Sequence, residues 1–151
     1  KNLGLGNTIK HRLCRDRMDS VIKRYHDYCI SQNIKSHYVQ RGISLHNKDI
    51  IVEHILPRQT VRELLLAELI NIDQALNSPI CRVSRDFDNC LKNTGFVKMS
   101  PDPWFFFSRY ISASRASSID LPEFETYNGK LINLDTWSLL DHYEYFDISL
   151  D

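Results

Sequence analysis

The hydrophobic period changes twice between Ile50 and Val83, and this narrows the available folds more than any other feature of the chain. Residues 50–56 are a β-branched run closed by Pro57, the profile of a short buried strand. Val61, Leu64, Leu65, Leu69, Ile72, Ala75 and Leu76 then recur at three- and four-residue spacing, one face of a helix. Thr60-Val61-Arg62-Glu63 has the form of a capping box, so this helix is predicted to begin at Thr60, and Asn77-Ser78-Pro79 stops it. Residues 80–83 return to strand character.

Amphipathic segments surround this unit. Ile9, Leu13, Met18, Val21, Ile22, Tyr25, Tyr28 and Cys29 form an apolar stripe that predicts a helix over residues 8–32. Arg41-Gly42 marks a turn. Ser84 is placed to cap a short helix carrying Phe87, Cys90 and Leu91 that ends near Gly95. Pro101-Asp102-Pro103 forces an extended or turned segment, and residues 104–111 read as helical. A hairpin is expected at Tyr127-Asn128-Gly129-Lys130 and a short helix over residues 135–141. The expected fold is α+β, a small sheet flanked by several helices, in a single domain covering residues 1–151, since one domain usually takes about 100 to 200 residues.

The apolar runs at residues 64–67 and 104–107 fall far short of the roughly 20 residues that a membrane-spanning helix needs, so no membrane partner is expected. The first residues lack a charged head followed by a long apolar stretch, so no signal peptide is expected; the chain opens on Lys1, as a piece of a larger protein would. Cys14, Cys29, Cys81 and Cys90 form no CxxC pair and read as reduced thiols, which suits a cytoplasmic setting. The net charge of zero conceals an asymmetry. Residues 1–45 hold nine Lys or Arg against three Asp, whereas residues 120–151 hold one Lys against eight acids. A basic segment steers polyanions, and an acidic one covers it or pairs with it.

Glu53 and His54 are adjacent polar residues inside an otherwise apolar strand, where each needs a hydrogen bond, a charge partner or a metal to offset burial. Successive strand residues point to opposite faces, so one of the pair faces the core or a cleft. The string Glu53-His54-Ile55-Leu56-Pro57 resembles the first motif of the HNH (ββα-metal) nucleases, an acid followed by His, two apolar residues and Pro at a strand end. The resemblance implies that Glu53 helps to hold a divalent cation (Mg, Mn or Zn) and that His54 is the general base toward the attacking water. No His lies between His54 and His142, so by the same resemblance Asp86 or Asp88 on the Ser84 helix, or His46, completes the metal site. As an alternative for Asp86 and Asp88, acids at a helix start suit the macrodipole.

Arg109 follows the aromatic run Trp104-Phe105-Phe106-Phe107 and is positioned either to grip a phosphate from a firm base or to pair with a C-terminal acid. On the first helix, Arg12, Arg15, Lys23 and Arg24, interleaved with Tyr25 and Tyr28, suit a nucleic-acid backbone, although charge off an apolar stripe is also what a solvated face looks like. Gly4 and Gly6 lack a preceding strand and a third glycine, and no serine lies in a GxSxG elbow, so neither a dinucleotide loop nor a serine hydrolase is expected. The expected function is metal-dependent hydrolysis of a phosphodiester in DNA or RNA. The alternative is a non-catalytic module that binds nucleic acid through the basic helix or a protein through the acidic, aromatic segment around Tyr143, Tyr145 and Phe146.

Overall fold

The computed structural model describes residues 3–31, 37–44 and 49–149, with the side chains of the first helix described from Asp16 onward. His46, and the side chains of Arg12 and Arg15, lie outside the described residues. Four strands, β1 Tyr38–Gln40, β2 Ile50–His54, β3 Ile80–Ser84 and β4 Phe124–Thr126, make one sheet in the order β2-β3-β1-β4. β1 runs parallel to β3, and the other two pairings are antiparallel. The helices are α1 Leu3–Ser31, α2 Arg58–Leu66, α3 Ile72–Leu76, α4 Arg85–Asn93, α5 Ser108–Ser117 and α6 Leu139–Tyr145. The fold is α+β, a small mixed sheet flanked by helices.

Strand alternation decides what each sheet face meets. Register places Tyr38 and Glu53 on either side of Cys81, and that face carries the aromatic core. Tyr38, Phe106, Phe107, Tyr110 and Phe124 are fully buried there, and edge-to-face pairs such as Phe87–Tyr110 (ring centroids 5.2 Å apart at 73°) fill it. Residues 101–107 form turns rather than the helix expected from 104. Asp102 Oδ1 accepts the amide of Trp104 at 2.9 Å, and this local bond holds the chain out of a helix until α5 begins at Ser108.

The single helix expected over residues 60–76 is two helices. α2 begins at Arg58, directly after Pro57, and no side chain caps it; Glu63 binds the Arg62 guanidinium at 2.9 Å instead of closing a capping box. It ends in a Schellman arrangement, with Glu68 at φ 57°, the Glu68 amide donating to the Leu65 carbonyl and the Leu69 amide to that of Leu64. α3 restarts with a capping box built from Asn71 and Gln74.

Elsewhere the differences are smaller. β2 stops at His54, two residues short of the expected run. Ser84 caps α4 by accepting the Phe87 amide at 3.3 Å, and Gly95 takes φ 81° just beyond its end, as expected. The turn at Tyr127 to Lys130 forms, with the Thr126 amide donating to the Lys130 carbonyl at 2.8 Å. α6 starts at Leu139, four residues after the helix expected at 135, because its capping box is Ser138 with Asp141. No described helix is long and apolar enough to cross a membrane.

Candidate functional site

β2 ends where three elements converge. Glu53 and His54 leave it on opposite faces, Glu53 toward α5 and His54 toward α1. After His54 the chain turns through Ile55, Leu56 and Pro57 into α2, so the amino-terminal turn of that helix lies beside the imidazole. Asp19, Glu53, His54, Arg58, Gln59 and Lys98 are the polar residues lining the cleft that results, of about 420 Å³.

The His54 imidazole is held by a second histidine. His26 on α1, almost fully buried, has its Nε2 2.7 Å from the carbonyl oxygen of Leu76 and its Nδ1 2.7 Å from His54 Nε2. A carbonyl only accepts, so His26 Nε2 carries a hydrogen. Burial, followed by the nearby Arg58, holds His26 below the usual imidazole range despite the Leu76 bond, so the ring is neutral and its Nδ1 is bare. The hydrogen between the rings therefore belongs to His54 Nε2, which donates to His26 Nδ1. His54 Nδ1 retains its lone pair and has no partner among the described residues. Burial, then His26, then Arg58 push the His54 pKa down to about 3, so it is neutral at physiological pH.

Two cations line the same cleft, in company with the carboxylates of Asp19 and Glu53, and Asp27 acts on Arg58 electrostatically. Arg58 and Lys98 both line it and form no ion pair among the described residues. Arg58, Gln59 and Thr60 are the first three residues of α2, ahead of the first helical bond from the Val61 amide to the Pro57 carbonyl, and proline offers no side-chain acceptor to cap them. The cleft thus combines a neutral imidazole, two cations and a helix amino terminus, a set suited to an anion, with the Glu53 carboxylate at its edge held by Arg109. Asp19 on its α1 side is already held by Arg62 at 2.6 Å.

On the opposite face of the strand, Glu53 is bound by the fully buried Arg109, which also donates to the His54 carbonyl at 3.2 Å. Burial raises the Glu53 pKa, and Arg109 offsets part of that rise. Of the two readings of Arg109, a phosphate grip and an ion pair, its guanidinium is engaged in the second, with Glu53 rather than a C-terminal acid. Asp88 is buried on α4 and lies 2.5 Å from Lys92, while Asp86 is exposed on the first turn of the same helix.

Two of the donors expected to hold a divalent cation, Glu53 and Asp88, are thus committed elsewhere. Glu53 and Asp88 are each paired with a protein cation, His54 is bound through Nε2 to His26, and His46 is outside the described residues. Among the described residues, no group of three His, Cys, Asp or Glu side chains is arranged to hold a metal. As paired here, Glu53 and Asp88 offer a cation no free carboxylate.

On α1, Lys23 pairs with Asp27 at 2.9 Å and Arg24 is exposed. The C-terminal aromatics are mostly packed inward: Tyr143 is buried and Tyr145 and Phe146 half-buried against Trp137, Tyr127 and His142. His26, Arg58 and Lys98 were not foreseen as site residues. For His26 a signal existed, because it falls four residues after Ile22 on the apolar stripe, where a polar residue needs a partner. Arg58 and Lys98 carry no such mark, being 40 residues apart in the sequence. No protein-family model matches the chain, and neither the curated proteins nor the solved structures contain a match to it.

Proposed function

We propose that the chain hydrolyses phosphodiester bonds in nucleic acid, with His54 as general base. The observation that carries this reading is the His26–His54 pair, which leaves Nδ1 of a neutral imidazole without a partner among the described residues, on a side chain that lines a cleft together with Arg58 and Lys98. The order of elements supports it as well. β2, its antiparallel neighbour β3 and the following α4 form a strand–strand–helix unit of the kind the HNH resemblance implies, with α2 and α3 inserted between the strands.

In this reaction a water oxygen bonds to phosphorus as its proton passes to His54 Nδ1, and the phosphorus–oxygen bond to the leaving group breaks, solvent protonating the departing oxygen. Arg58, Lys98 and the first amides of α2 hold the non-bridging oxygens. Burial is the main cause of the low His54 pKa, and a phosphodiester beside the ring would offset the smaller part that comes from Arg58 and Arg109. Lys23 and Arg24 would extend the contact along the strand of nucleic acid, and Arg12 and Arg15 are proposed for the same role.

The test is cleavage of labelled single- and double-stranded DNA and RNA by the whole chain, in EDTA and with Mg²⁺, Mn²⁺ or Zn²⁺, beside His54→Ala and Arg58→Gln. The expected results are a loss of at least about 100-fold in kcat for His54→Ala and a raised KM for Arg58→Gln. Cleavage equal in wild type and His54→Ala, or none under any condition, would sink the proposal. Activity seen only with added metal would mean that Glu53 or Asp88 exchanges its protein cation for the ion.

A second reading, a protein-interaction module, is favoured by one separate observation. Leu69 (56% exposed) and Ile72 (67%) stand out from the α2–α3 junction near Val21 of α1 (58%). Serine at Leu69 and Ile72 would reduce self-association or partner binding while leaving cleavage intact.

A further inference from the structure

The geometry points to His26 as a positioning residue for His54: it fixes the proton of His54 on Nε2 and so delivers Nδ1 to the cleft as the reacting nitrogen. This rests on the proposed hydrolysis for its purpose, but not for its physical content. An imidazole in a partly open cleft exchanges between two tautomers and rotates about its side-chain bonds, and only one arrangement offers a given nitrogen to substrate. The chain from the Leu76 carbonyl through His26 to His54, with two contacts of 2.7 Å, removes that freedom.

The far end of the chain is what makes it directional. The Leu76 carbonyl, at the last residue of α3, can accept only, so the direction of both hydrogen bonds is set by backbone. His26 is not itself among the residues lining the cleft and is nearly fully buried, so it acts on the cleft only through His54. When His54 takes a proton on Nδ1, its Nε2–H becomes a charge-assisted donor to His26 Nδ1, and the bond strengthens as the proton is taken up. Three elements therefore meet in one function: α1 supplies the orienting ring, β2 the base and α3 the terminal acceptor. The charged groups acting on the two rings are Asp27 of α1, Arg58 of α2 and Arg109 of α5.

The test is nitrogen-15 NMR of the histidine rings of the whole chain, paired with cleavage kinetics, in wild type, His26→Leu and His26→Asn. For the wild type, His54 is expected as a single tautomer with hydrogen on Nε2. In His26→Leu the tautomer should become mixed and kcat fall about 10- to 100-fold with KM little changed. His26→Asn keeps an oxygen acceptor near the position of Nδ1 and should restore most of the Nε2–H tautomer and of kcat; it carries the test if the leucine variant does not fold. A folded His26→Leu with the wild-type tautomer, or a folded His26→Asn that is as mixed as the leucine variant, would overturn the inference. Inactive wild-type protein with a His26-dependent tautomer would remove the hydrolytic function and leave the positioning intact.

Discussion

Arg109 shows how the environment of a side chain decides its use. Its guanidinium is fully buried and its charge is met by Glu53 across the end of β2, while its Nε has no hydrogen-bond partner among the described residues. Removing one member of a buried pair strands the other charge, whereas replacing both with apolar residues is often close to neutral. Arg109→Leu is therefore expected to cost about 3 kcal/mol in urea unfolding, and the double change with Glu53→Leu appreciably less. A double variant as unstable as Arg109→Leu would mean that the guanidinium matters through its bond to the His54 carbonyl and its packing rather than through Glu53. The same residue illustrates what sequence hides: an Arg after four aromatic residues reads equally as an anion grip or an ion pair, and only the position of Glu53 in space separates the two.

At the scale of elements, the break between α2 and α3 is the least expected feature and the one that builds the site. It restarts the chain as α3, whose far end carries the Leu76 carbonyl that His26 uses, and it rests on Glu68 in the left-handed region at φ 57°. A residue with a β-carbon costs roughly 1 kcal/mol in that conformation, whereas glycine adopts it freely. Glu68→Gly is accordingly expected to stabilise the protein by up to about 1 kcal/mol in a thermal or urea melt, part of the gain being lost to the greater freedom of the unfolded chain. A clear destabilisation would show that the Glu68 side chain contributes more than its backbone costs. The helical spacing from Val61 to Leu76 offered no sign of this break, because no Gly or Pro interrupts it. What ends α2 is a set of backbone bonds, with Asn71 and Gln74 also donating side-chain amides to the Ser149 carbonyl far along the chain.

Across the whole molecule, four imidazoles are stored in the neutral form. His54 is depressed to about 3 and His142 to about 4, and burial lowers His26 and His37 as well. His142 is fixed by donating from Nε2 to the Asn77 carbonyl at 2.9 Å and accepting from the Tyr38 hydroxyl at 2.7 Å. In the unfolded chain these rings take up protons below about pH 6.5, while the folded chain does not until much lower pH. The unfolded state then binds more protons, so stability falls as pH drops from 6.5 toward 4. For the fully buried His142 alone the loss by pH 5 is about 2 kcal/mol. Glu53, with its pKa raised, works in the opposite direction but is one group against four. Thermal melts at pH 7.5, 6 and 5 should show the midpoint falling by several degrees; a constant midpoint would mean that water or rearrangement reaches these rings.

The sequence by itself determined the local grammar: the strand cores at Ile50 and Ile80, the Ser84 cap, the Tyr127 to Lys130 turn and the long first helix, all set by interactions a few residues apart. It also singled out Glu53 and His54 as polar intrusions in a strand. Only the tertiary structure decided that one is neutralised by Arg109 and the other is oriented by His26, and that Arg58 and Lys98 share a cleft. Those pairings join residues 28 to 56 positions apart, and no local propensity encodes which buried polar group will meet which. The physical reason is that desolvation makes a partner obligatory without naming it. The side chains that α1 and α5 bring to the end of β2, His26 and Arg109, supply the names.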